Sequence, residues 1–188
     1  AGVVKSGLFC GKRVFGGPPP DEILARHLRL MDIAKANGLR VLVVDYGTDP
    51  KTADESRRRN KEKGYVSITA PVPLADLNSL PPYPRRPYGE NAKSMLSLKN
   101  VSNFAYISDS KAFGRADEFA LKMHGTNYDL LIVDVFQGRE ELSKQALAAL
   151  KDKKRRARRV VYPNVDIGTA ASFLYYWKAN WGEGEPMW

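Results

Sequence analysis

The residues best suited to chemistry in this 188-residue sequence are acids that follow strand-like runs. Asp45 lies at the end of "LRVLVVDY", Asp134 near the end of "YDLLIVDVF", and Asp166 after "RRVVYPNV". The carboxyl ends of parallel strands meet at one edge, where an acid could donate or accept a proton. The alternative is structural, because a strand-end carboxylate also caps helices or accepts backbone hydrogen bonds. We favour that alternative for Asp45 and Asp166, and both interpretations stay open for Asp134.

The elements that position these acids alternate between helix and strand. An apolar stripe predicts a first helix that Gly38 ends, and the continuous run 39–46 predicts a strand buried on both faces. A helical segment, the strand "YVSITA" and then strands at "VSNFAYIS", "YDLLIVDVF" and "RRVVYPNVDIG" follow, with helices around 115–124 and 139–154. This alternation predicts an α/β fold with a parallel sheet or barrel. The stripe consists of Ile23, Leu24, His27, Leu28, Leu30, Met31 and Ile33.

A proline-rich stretch divides the sequence. Prolines are frequent in "VPLADLNSLPPYPRRPYGEN", which has no apolar period and predicts an irregular connection. We therefore separate a segment 1–80, a connection 81–100 and a segment 101–188. The total length is that of one ordinary domain.

The net charge of +9 is concentrated in short runs. The run "KDKKRRARR" holds seven basic residues in nine and could bind a polyanion such as nucleic acid or an anionic glycan. The alternative is a solvated helix end, where positive charge complements the helix dipole. No nucleic-acid motif accompanies the run. The seven residues are Lys151, Lys153, Lys154, Arg155, Arg156, Arg158 and Arg159.

Metal and cofactor motifs are not recognised in the sequence. Cys10 is the single cysteine, and His27 and His124 have no acid or cysteine partners at ligand spacing, so no metal site is predicted. The stretch "FGGPPP" lacks the Lys and Ser or Thr of a phosphate-binding loop, and no cofactor is predicted. No apolar run reaches the length of a membrane span.

Several of these stretches resemble one protein family, the glycoside hydrolase family 114 barrels, also described as endo-alpha-1,4-polygalactosaminidase-like. "NVSNFAYIS", "NYDLLIVDVF" and "FLYYWKANW" resemble the opening strands of those barrels, and "AKANGLRVLVVDYGTDP" with "KGYVSITAPVPLADLNSLP" resembles their closing strand and tail. The closing part comes first here. The resemblance implies a partial or rearranged (β/α)8-type barrel with parallel strands. About five strands are visible where a closed barrel has about eight.

The resemblance also bears on the chemistry of the site. The family places acids, a tyrosine and an arginine after its third strand, whereas Thr169, Ala171, Ser172, Phe173 and Leu174 stand there in this chain. Asp134 matches a family position thought to be catalytic, but a glycosidase needs two carboxylates. The resemblance implies a binding site without a complete catalytic pair. Its candidate binding residues are Asp45, Asp166, Thr169, Tyr175, Tyr176 and Trp177, although Phe173, Tyr176 and Trp177 at helical spacing are also typical of a core.

We therefore expect a catalytically silent relative that binds a glycan or serves as part of a larger assembly. The first alternative is a secreted hydrolase of an amino-sugar polymer with Asp134 as one acid, and the second is a basic module that binds a polyanion. Because open strand edges are hazardous, we expect a partner chain or a second copy to complete the barrel. An extracellular location is implied by the resemblance alone.

Overall fold

The computed structural model describes residues 1–11, 15–134, 136–137, 140–154, 156–165 and 177–182. Its first half builds a parallel sheet in which β2 (Arg40–Tyr46) lies between β1 (Gly2–Ser6) and β3 (Val66–Ala70). Helix α1 (Asp21–Ala36) connects the first two strands, and α2 (Pro50–Glu62) connects the second to the third. The predicted order of helix, strand, helix and strand is confirmed for α1, β2, α2 and β3, whereas β1 was not predicted.

The second half repeats the same arrangement. β5 (Leu130–Val133) lies between β4 (Phe104–Ile107) and β8 (Val160–Pro163), and all three strands are parallel. Helix α3 (Ala116–His124) connects β4 to β5. The return to β8 contains a short antiparallel hairpin, β6 (Phe136–Gln137) and β7 (Glu140–Glu141), followed by α4 (Lys144–Leu150).

Two helices differ from their predicted form. Helix α4 is shorter than the predicted 139–154. It begins only after Ser143, which caps it by accepting a hydrogen bond from the Ala146 N–H at 3.0 Å, and it ends at Leu150, before the chain folds back. In α1 only Met31 is buried, and the stripe residues Ile23, Leu30 and Ile33 are about half exposed. No helix in the described ranges is long and apolar enough to cross a membrane.

Strand residues alternate between an inner face, shared by the two sheets, and outer faces covered by helices. The inner cluster joins residues of β2 and β3 in the first sheet to residues of β4 and β5, with Val160 of β8 packed against it. A second cluster packs the outer face of β4 and β5 against α3 and α4, and a third packs the outer face of β2 against α1. The protein is therefore a mixed α/β structure with one core common to both sheets. The inner side chains include Leu42, Val44, Tyr46, Val66, Ile68, Phe104, Tyr106, Leu130 and Ile132.

The strands do not close into a barrel. Within the described residues β3 and β4 belong to different sheets, and β1 and β8 each pair with one neighbour only. The connection between the sheets is irregular as predicted, with 3-10 turns at Leu74–Asp76 and Leu98–Asn100. Its prolines and tyrosines line a narrow pocket together with β3 and the start of β4. The connection thus covers the junction of the two sheets.

Candidate ligand site at the carboxyl edge of the second sheet

Two polar residues, Asp134 and Asn164, occupy paired positions at the carboxyl ends of β5 and β8, one residue beyond each strand. The Asp134 N–H donates to the Ile107 carbonyl at 3.1 Å, and the Asn164 N–H donates to the Val133 carbonyl at 2.8 Å. These bonds extend the parallel ladder by one residue beyond each strand. Because Val133 belongs to the outer cluster, alternation places Asp134 and Asn164 on the inner side.

The contacts of these groups support this placement. The Tyr106 hydroxyl, which belongs to the inner cluster, donates to Asn164 Oδ1 at 2.7 Å across the sheet. The half-buried Asp134 accepts the Phe136 N–H through Oδ1 at 2.9 Å, which is one of the structural roles that the sequence left open. The edge thus combines a carboxylate, an amide and a phenol. Such a set can hydrogen-bond the hydroxyls of a polyol or sugar.

Aromatic rings lie at the corresponding edge of the first sheet. Tyr46 is the last residue of β2 and faces inward, and the half-exposed Phe15 packs on it with ring centroids 5.8 Å apart. Of the aromatic run near the end of the chain, Trp177 is half-buried and contacts Trp181 edge to face at 5.5 Å. The predicted site residues Asp166, Thr169, Tyr175 and Tyr176, with Phe173, lie outside the described residues.

Asp45 faces away from this edge. Its neighbours Val43 and Val41 belong to the outer cluster, and its carboxylate is fully buried under α2. One oxygen accepts the N–H groups of Phe9 and Cys10 at 2.9 and 3.2 Å, while the other accepts the Ser56 hydroxyl at 2.7 Å and the Asn60 amide at 2.9 Å. Four donors on two segments, the loop after β1 and helix α2, therefore hold it in a structural role. The structure does not bring Asp45 and Asp134 together.

Cys10 lies in the same buried region. Burial raises the pKa of its thiol to about 11, and the nearby Asp45 carboxylate adds to the effect. The thiolate is disfavoured near neutral pH, so this cysteine is poorly suited to nucleophilic catalysis.

The basic run after α4 folds back instead of extending the helix. The Lys153 N–H donates to the Ala157 carbonyl at 2.8 Å, and Asp152 bridges to Arg158 in antiparallel fashion. Lys153 is fully buried and Arg159 almost so, which corrects the prediction that both contribute to a polyanion-binding surface. Lys151, Lys154, Arg156 and Arg158 are exposed, and Arg155 lies outside the described residues.

Lys153 belongs to a buried ionic network that the sequence pattern does not reveal. Its Nζ lies 2.5 Å from Asp129 Oδ1, and both side chains are fully buried. Lys153 also donates to the Lys93 carbonyl at 2.8 Å and to Asn91 Oδ1 at 3.3 Å. Asp129 in turn accepts the Ser102 N–H at 2.8 Å. The network therefore ties the connection to the start of β5 and to the loop after α4.

Known proteins do not supply an independent identification. Comparison of the chain with protein-family models, with curated proteins and with solved structures gives no match. Within the described ranges, no three side chains of His, Cys, Asp or Glu are grouped closely enough to hold a metal ion. What can be said of function therefore rests on the residues and contacts at the carboxyl edge.

Proposed function

We propose that the chain is a catalytically silent relative of the glycoside hydrolase family 114 barrels and that it binds a glycan at the carboxyl edge of its second sheet. The observation that carries this proposal is the placement of Asp134 and Asn164 on the inner side, with Tyr106 bonded to Asn164. Carboxylate and amide side chains beside aromatic rings are well suited to hydroxyl-rich ligands.

Binding is favoured over hydrolysis by the orientation of the acids. Glycosidases hold two carboxylates on either side of the scissile bond, about 5–9.5 Å apart. Asp45 lies on the outer face with both oxygens engaged, so it cannot serve as the second acid beside Asp134. At the positions where the family carries further acids, the sequence has Thr169, Ala171 and Ser172.

The first experiment measures binding of galactosamine oligosaccharides, the ligand class that the family resemblance suggests. Tryptophan fluorescence or calorimetry would follow the titration of the wild type, of Asp134→Asn and of Asp117→Asn. Asp117 is an exposed acid on α3, so its replacement is a charge-matched control. We expect Asp134→Asn to weaken binding about tenfold, since it weakens charge-assisted hydrogen bonds to sugar hydroxyls. Equal affinities of the two variants, or no binding by the wild type, would contradict the proposal.

A second assay distinguishes the hydrolase alternative. The protein is incubated with the same oligosaccharides and new reducing ends are counted. We expect no turnover. Hydrolysis that Asp134→Asn abolishes would instead identify a glycosidase whose second acid lies outside the described residues.

A further inference from the structure

A cavity lies at the opposite end of the strands from the carboxyl-edge site. It has a volume of about 420 Å³ and opens between the proline-rich connection and the loop 125–128, which directly precedes β5. This places it at the amino edge of the second sheet. A cavity of this volume falls within the range of small-molecule sites, about 300–1,000 Å³.

The charged groups at this cavity are mostly cationic. Arg85, Arg86 and Lys154 line it, against a single carboxylate, Glu90. The carboxylate is already engaged, because Asn127 Nδ2 donates to Glu90 Oε1 at 2.5 Å and Arg86 Nη1 lies 3.9 Å from Oε2. Among the described residues no ion pair involves Arg85 or Lys154. Three cations against one engaged carboxylate leave the cavity with an excess of positive charge.

A buried guanidinium behind the cavity wall adds to this potential. Arg159 donates through Nη1 to the Thr126 hydroxyl at 3.0 Å and through Nη2 to the Thr126 carbonyl at 2.8 Å. Burial lowers its pKa to about 10, so the group remains charged near neutral pH. No acid within ion-pair distance neutralises Arg159 in the described part of the chain, and its Nε is buried without a hydrogen-bond partner there.

The rest of the cavity wall is apolar, and the two segments that form the cavity, the connection and the loop 125–128, are both held in place by hydrogen bonds. Leu80, Pro81, Pro87 and the ring of Tyr128 line it. The connection is held from one side by Asp54 of α2, which accepts the hydroxyls of Tyr83 and Tyr88, and from the other by the Lys153 network. The loop 125–128 is held by Arg159 and by the Lys154 N–H, which donates to the Thr126 carbonyl at 3.0 Å. The cavity is thus formed before any ligand arrives.

We propose that this amino-edge cavity binds a small organic phosphate ester, whose phosphate contacts Arg85, Arg86 and Lys154 and whose apolar body packs on the proline and tyrosine wall. Guanidinium groups match the oxygens of a phosphate in a fork geometry, and a lysine adds a point charge. The apolar wall provides a surface that an inorganic ion would leave unused. This site is independent of the glycan-binding proposal, since it uses other residues at the other end of the strands.

The test uses phenyl phosphate as the probe, with inorganic phosphate and phenol as its two halves, in calorimetric titrations of the full chain. We expect phenyl phosphate to bind more tightly than inorganic phosphate, phenol not to bind, and the affinity to fall as salt is added. Absence of phenyl phosphate binding at low salt would overturn the proposal, as would binding of phenol equal to that of its phosphate ester.

Two charge-matched double variants locate the binding site. Arg85→Gln/Arg86→Gln removes two cavity cations, and Arg26→Gln/Arg29→Gln removes two exposed cations from α1, which does not line the cavity. We expect the first to weaken binding about tenfold or more and the second to leave it within about twofold. Equal losses would show that only net charge matters and would overturn the assignment of the site.

A third variant tests the sign of the charge effect at the cavity. Glu90→Gln removes the single carboxylate while an amide oxygen can still accept from Asn127. We expect it to tighten binding of phenyl phosphate about two- to fivefold. Weaker binding, with unchanged thermal unfolding, would contradict a site built for an anion.

Discussion

Asp45 and Asp134 each lie within one residue of the carboxyl end of a central strand, but their side chains lie on opposite faces of the sheets. Asp45 points outward to α2 and is fully buried, whereas Asp134 lies at an inward register and is half-buried. The Asp45 carboxylate accepts hydrogen bonds from two segments, and the Asp134 carboxylate accepts the N–H of Phe136. The same residue type at similar positions therefore packs under a helix in one sheet and lies on the inner side at the carboxyl edge of the other.

This difference predicts opposite responses to one isosteric substitution. Asp45→Asn places an amide NH2 where only donors surround the carboxylate, so we expect the free energy of unfolding to fall by about 2 kcal/mol or more. Asp134→Asn keeps an oxygen for Phe136, and we expect a change of less than about 1 kcal/mol. Urea denaturation of both variants measures the difference. Equal losses of stability would show that Asp134 has a structural role comparable to that of Asp45.

The buried ion pair predicts a second contrast within the basic run. Lys153→Met leaves Asp129 charged, buried and without its cation, a change that typically costs about 3–5 kcal/mol. Lys154→Met removes the neighbouring charge from an exposed position, so we expect a change within about 0.5 kcal/mol. Thermal or urea unfolding compares the two variants. Similar stabilities would indicate that the pair is not buried in the folded chain.

The raised pKa of Cys10 predicts a slow reaction with thiol reagents. With a pKa of about 11, roughly one thiol in a thousand is ionised at pH 8, and the side chain is also buried. We expect the folded chain to react with a disulfide reagent far more slowly than the chain in denaturant. The sign of the pH effect follows, since the folded state holds this proton more tightly and so loses stability as pH rises from about 9 towards 11. Cys10→Ala should flatten that pH dependence, and an unchanged profile would contradict this explanation.

Much of the secondary structure could be predicted from the sequence, because continuous apolar runs such as 39–46 have few other uses than a buried parallel strand. The same uninterrupted run of apolar residues does not show on which face of the sheet each side chain lies. In a strand buried on both sides, neighbouring apolar residues do not mark inside from outside, so the outward direction of Asp45 could not be predicted.

The buried cation was hidden for a different reason. A run of Lys and Arg usually lies at the surface, and pattern alone predicts seven exposed charges between 151 and 159. Lys153 is buried because a partner 24 positions away, Asp129, lies under the fold-back of the loop. Tertiary pairing of this kind leaves no local periodicity. The amino-edge cavity was missed likewise, because its walls come from segments that lie far apart in the sequence.

The sheet edges lead to a prediction about assembly. The edges of β3 and β4 lie at the junction that the proline-rich connection covers. The outer edges are formed by β1 and β8, where Val4 and Tyr162 are each exposed by about 40%. An edge strand with exposed apolar side chains tends to pair with another chain.

We therefore expect strands of another chain, a second copy or a partner protein, to pair with β1 and β8. The purified chain, which has only copies of itself to pair with, should then associate. Light scattering coupled to size-exclusion chromatography measures the mass directly, and the monomer weighs 21.0 kDa. Val4→Lys and Tyr162→Lys place a charge at each edge and should shift the chain towards the monomer, whereas Leu121→Lys, at an exposed position on α3, should not. If the purified wild-type chain stays monomeric at all concentrations, the expectation is wrong and the fold protects both edges itself.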